Sequence, residues 1–139
     1  MCVRIYLGSI LPLPQIIWNK STPGFYVNAV NDEAEAARMH ELLSATHVYE
    51  LGSFMGCSCG LMYNPQLKGD DADNYPSRLK DVALFKSHLK HHLPDNCLKI
   101  FATWWEYFPD KYPEETLSLS EFISTEFEIP ENIIVTVVT

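Results

Sequence analysis

Two thiols one residue apart, flanked by glycines, make Gly56-Cys57-Ser58-Cys59-Gly60 the segment of this chain best suited to chemistry. On an extended backbone side chains alternate, so Cys57 and Cys59 point the same way. A glycine on each side permits sharp bends and close approach of another group. If residues 52–56 close a hairpin between strands at 46–51 and 57–63, Tyr49 faces Cys59 and His47 faces Leu61. His47 then lies diagonally from Cys59, about 7–8 Å away, on the face that both thiols share. Two thiolates and an imidazole begin a tetrahedral zinc site. The expected metal set is Cys57, Cys59 and His47, with Cys97 or Cys2 as the fourth ligand and zinc as the cation. The spacing is tighter than the usual gap between paired zinc ligands. Buried thiols that pack as small apolar groups are therefore the competing reading. Nucleophilic or redox use has less behind it, because no Lys or Arg stands next to either thiol in sequence to lower its pKa.

A second distinctive segment is Trp104-Trp105-Glu106-Tyr107-Phe108-Pro109-Asp110-Lys111-Tyr112-Pro113. Aromatic rings with polar rims mark ligand pockets and protein interfaces. Trp104 completes the inward face of its strand, which leaves Trp105, Tyr107, Phe108 and Tyr112 as the expected partner-binding residues. The acids Glu106, Asp110, Glu114 and Glu115 favour a basic protein partner or a cationic small ligand. The competing reading is a roof of rings over the core at a sheet end. Acidic proteins of this size that neutralise a basic partner, as bacterial immunity proteins do, offer an analogy of class without a shared motif.

Other residues carry weaker signals. His88 and His92 stand four apart on a helix and His91 is adjacent, but the central Glu of the helical zinc-protease motif is missing. Positive charge in a last helical turn suits the helix dipole, which explains these histidines without a metal. Asp70, Asp71 and Asp73 lack the order of a calcium loop and read as a solvated turn. Met1-Cys2 followed by Tyr6-Leu7-Gly8 resembles the start of N-terminal-nucleophile glutamine amidotransferases over about eight residues. That resemblance would make Cys2 a nucleophile with its own α-amino group as base. The later glycine- and asparagine-rich substrate motifs of that family do not follow.

The 139 residues predict one domain, 1–139, with a core of its own. A net charge of −8 disfavours nucleic acid as a partner. No apolar run approaches the length of a membrane span, and the N-terminus does not read as a signal peptide. A cytoplasmic home with reduced thiols is therefore expected.

Several elements must position the two segments. Val3, Ile5 and Leu7 alternate as a first strand, and residues 25–30 form a second. Asn31 or Asp32 caps a helix whose stripe is Ala36, Met39 and Leu43, with Asp32 and Glu35 as a capping box. Residues 64–77 read as a loop. A helix over 77–92 buries Leu79, Val82, Phe85, Leu89 and Leu93. Leu98, Ile100, Ala102 and Trp104 alternate as a strand, and 106–115 read as a loop. Ser118-Leu119-Ser120-Glu121 opens a short helix, and 133–138 form a buried last strand.

The fold class is α/β or α+β: a mixed sheet of about five to six strands packed by two main helices and one short one. The expected function is a non-enzymatic binding module that uses residues 104–113. The alternative is a metal or thiol-redox protein that uses Cys57 and Cys59. A third reading is a structural subunit that dimerises through 133–138 as a strand edge.

Overall fold

A computed structural model describes residues 3–61, 75–104, 112–124 and 129–139. The first strand, β1 (Val3–Ser9), forms where the apolar alternation predicts and lies near the middle of the sheet. It is followed by β2 (Tyr26–Ala29), α1 (Glu33–Leu43) and β3 (His47–Gly52). A 3-10 turn at Ser58–Leu61, α2 (Tyr75–His92), β4 (Leu98–Trp104), β5 (Glu114–Ser118), α3 (Leu119–Phe122) and β6 (Ile134–Val138) complete the order. The six strands make one mixed sheet in the order β2-β3-β1-β4-β6-β5, so this is an α+β fold. Only β5 and β6 run parallel; the other pairs are antiparallel.

Alternation along the strands divides the core in two. Val3, Ile5 and Leu7 of β1 join Tyr49, Leu51, Leu98, Ile100, Ala102, Val135 and Val137 on one face. Val82, Phe85 and Leu89 of α2 and Phe122 of α3 cover that face. On the other face Tyr6, Val48, Phe101 and Ile134 meet Met39 and Leu43 of α1. The stripe expected for α2 therefore holds from Val82 to Leu93, but Leu79 is 45% exposed. It sits in the first turns, outside the run of residues that reaches the sheet. Among the described residues no helix is long and apolar enough to cross a membrane.

The caps follow the sequence with one instructive difference. Ser118 and Glu121 make the full capping box of α3. At α1, Asp32 accepts the Glu35 N–H at 2.8 Å. The Glu35 carboxylate does not reach back to the cap; it takes Tyr6 and Arg4 from β1. A charged partner in a half-buried setting outweighs the reciprocal bond of a capping box.

Three expected elements are corrected. No returning strand begins at Cys57. Both edges of β3 are already taken by β1 and β2, so a hairpin strand would have no edge to join. Glu114 and Glu115, expected at the end of a loop, open a strand over 114–118 that runs parallel to β6. For that reason β6 is interior, paired on both sides, and supplies no free edge for the expected dimer.

Candidate functional site

The site begins with the register of β1. Val3 stands opposite Trp104, Ile5 opposite Leu51, and Gly52 opposite Tyr26. The segment after Gly52 and the segment after Trp104 thus leave the sheet at the same end. These are the thiol segment and the aromatic segment. Trp104, Val3 and the thiols are linked directly, because the Val3 N–H donates to Cys59 Sγ at 3.4 Å.

Side-chain hydroxyls, not a strand ladder, hold the thiol segment. Ser53 is fully buried. Its hydroxyl donates to the Cys57 carbonyl at 2.7 Å and accepts the Gly60 N–H at 3.1 Å. Ser58, also fully buried, donates to the Leu51 carbonyl and accepts the Ile5 N–H at 3.0 Å. It thereby bridges Ile5 and Leu51, which stand opposite each other across β1 and β3. Asp81 of α2 binds the segment from below, accepting the Phe54 N–H at 2.7 Å and the Phe25 N–H at 3.0 Å. Burial pushes the Asp81 carboxyl up from its ordinary range, and those two N–H groups pull it back.

Two glycines are needed here for space. A Cβ on Gly52 would lie 1.9 Å from Cζ of Tyr26, whose ring folds across that gap and whose hydroxyl donates to the Gly56 carbonyl at 3.0 Å. A Cβ on Gly60 would lie 2.3 Å from Ser53 Oγ and 2.6 Å from Ser53 Cβ. Ser53 is bonded on three sides, so it has no room to move aside. Cys57 and Cys59 are left half-buried on either side of the buried Ser58.

Beside the thiols the sheet carries a charged cluster on the α1 face. Arg4 and the Tyr6 hydroxyl both donate to one oxygen of Glu35. Glu50 stands opposite Tyr6 on one side and Asn28 on the other. It is half-buried, and burial raises its carboxyl pKa, with Arg4 partly opposing the rise. Burial pushes the Tyr26 hydroxyl up to about 12, and the nearby Glu50, Cys57 and Cys59 charges push it the same way. Glu131 accepts the Trp104 indole N–H at 2.7 Å. Glu35 and Glu50 thus lie beside Arg4 and Tyr6 on the α1 face and Glu131 beside Trp104, and Arg4 is already held by Glu35.

The expected metal set does not converge. His47 and Leu98 both stand opposite Ser9, the other end of β1. Cys97, next to Leu98, is tied there through its N–H to Asn96 Oδ1 at 2.8 Å. Six strand steps separate Ser9 from Val3, about 20 Å. His47 and Cys97 are therefore remote from Cys57 and Cys59, a correction that follows from β3 pairing with β1 and β2 in place of a hairpin. Among the described residues no group of three or more His, Cys, Asp or Glu is arranged to hold a metal. Cys2 lies outside the described residues, as do Trp105, Tyr107 and Phe108. Tyr112 is half-buried, its ring 4.6 Å from that of Phe101 in the core under α1.

Sequence reasoning missed Ser53, Ser58, Asp81 and the Arg4–Glu35–Tyr6 cluster. Asp81 did leave a signal: an acid directly beside Val82 on the buried stripe of α2.

The fold and the site define an α+β protein in which a hydroxyl-braced thiol segment lies at the same sheet end as Trp104 and its Glu131 partner. Compared with known proteins, the chain matches no family model, no curated protein and no solved structure.

Proposed function

We propose that this chain is a binding module for a basic partner, in a reducing compartment such as the cytoplasm, with no catalytic step of its own. The observation that supports this most is the double role of Val3. It stands opposite Trp104 and donates to Cys59, so both distinctive segments root at one sheet end. Glu131 is bound to Trp104 there, Glu35 and Glu50 lie near Arg4 and Tyr6 of the neighbouring β1, and complementary charge would steer a cationic partner to this end. Aromatic side chains of residues 104–113 would then supply the contact area. The expected result is that a synthetic Lys/Arg-rich peptide binds the protein in a salt-dependent way. Trp105→Ala with Tyr107→Ala should weaken that binding by at least about tenfold. Unchanged affinity in a variant with native circular dichroism would sink the reading.

The half-exposed thiols support a second reading, in which Cys57 and Cys59 hold zinc with ligands from outside the described residues. Protein purified from zinc-supplemented medium should then carry one zinc per chain, as counted by elemental analysis, and Cys59→Ser should lose it. Metal-free protein with all its thiols titratable in the folded state would end this alternative.

A further inference from the structure

The two edges of the sheet are finished differently. At β2 the outward backbone groups are occupied: Val27 exchanges both hydrogen bonds with Ile16, at 3.0 and 2.9 Å, and the Ala29 N–H reaches Gln15 Oε1 at 3.1 Å. The other edge is β5, and among the described residues no segment covers it.

Which groups β5 offers follows from one bond. The Ile134 N–H donates to the Pro113 carbonyl at 2.9 Å, with Glu114 in register with Ile134. In a parallel ladder alternate residues turn their N–H and C=O to the same neighbour. Glu115 and Leu117 therefore face β6, and Glu114, Thr116 and Ser118 face outward. The Ser118 N–H is already taken by Glu121 in the capping box at 3.1 Å. Glu114 and Thr116 are left with an outward donor and acceptor each, which is the repeat an added strand needs.

We propose that the open edge of β5 receives a basic, extended peptide segment as a seventh strand. This deepens the binding reading above and rests on it, since β5 continues directly from the aromatic segment. The side chains specify the occupant. Glu114 and Glu115 are both exposed and point to opposite faces, so a Lys or Arg on each face of the incoming strand finds a carboxylate. Leu117 is half-buried against the main core, so a small apolar residue beside it is covered on one side. A second copy of this chain is a poor occupant, because another β5 strand carries no Lys or Arg for these glutamates to meet.

The test uses the intact protein and the blocked hexapeptide Lys-Lys-Thr-Val-Thr-Lys, with its Glu-for-Lys counterpart as control. Binding of the basic peptide should slow hydrogen exchange at the Thr116 amide by at least about tenfold, and the acidic peptide should do nothing. Thr116→Pro removes the outward N–H without touching the bonds to β6, and should weaken the basic peptide about tenfold. The exchange readout needs no variant, so it decides even if the proline variant misfolds. Absence of binding overturns the proposal. So does binding that leaves Thr116 exchange unchanged; if that binding is lost with Trp105 and Tyr107, the module reading survives and the added strand does not. Thr116 protection that grows with protein concentration without peptide assigns the edge to self-association, and also overturns it.

Discussion

Asp81→Ala should lower the stability of the fold by about 2–5 kcal/mol, read as a shift of the urea midpoint. Asp81 is 1% exposed and accepts two N–H groups, from Phe25 at the start of β2 and from Phe54 in the thiol segment. Truncation leaves the buried Phe25 donor and the part-buried Phe54 donor without an acceptor, and each such orphan costs on the order of 1–3 kcal/mol. Relief of the desolvated carboxylate offsets part of the loss, which is why the lower end of the range is allowed. Asp81→Asn keeps one acceptor but turns an amide donor toward the other N–H, so it should fall between wild type and alanine. A loss below about 1 kcal/mol for alanine would show that water replaces the carboxylate and that the brace is dispensable.

The second large effect is with acid. His88 is 8% exposed, wedged between the rings of Phe25 at 5.8 Å and His92 at 4.4 Å, and neither ring nitrogen has a partner among the described residues. Burial, helped by the charges of His92 and His91, lowers its pKa to about 4 from 6.5. Between those values the unfolded chain binds a proton that the folded chain refuses. Stability is therefore full above pH 6.5 and falls as the pH drops toward 4, by up to about 3 kcal/mol. His92, also lowered by burial, acts in the same direction. Asp81 and Glu50 act in the opposite one, because their raised pKa values favour protonation of the folded state. His88→Phe isolates the imidazole: it should flatten the decline in urea stability from pH 7 to 4.5. An equally steep decline in that variant would place the acid sensitivity elsewhere.

The elements with one buried face were legible in the sequence. The alternation of β1 and the spacing from Val82 to Leu93 in α2 both reflect a single face turned to the core. The Ser118–Glu121 box is legible because all of its bonds lie within four residues. What failed was pairing information. Glu114, Glu115 and Thr116 are exposed, so β5 carries no apolar alternation and resembles loop. Cys57 and Cys59 look strand-like in isolation, and only the occupancy of both β3 edges excludes a hairpin there. Ser53 and Ser58 were invisible as structural residues, since a serine that satisfies buried backbone groups has the same letter as one in solvent.

The fastenings of the thiol segment reach far along the chain. Ser58 meets Ile5 across 53 positions, Cys59 meets Val3 across 56, and Asp81 meets Phe54 across 27. Asp81 lies on α2, so the contact with Phe54 waits for that helix to be made, and all three contacts require a long loop to close first. The surface they create is thus a late product of folding. A partner that reads it meets finished molecules only, and incomplete chains pass unrecognised.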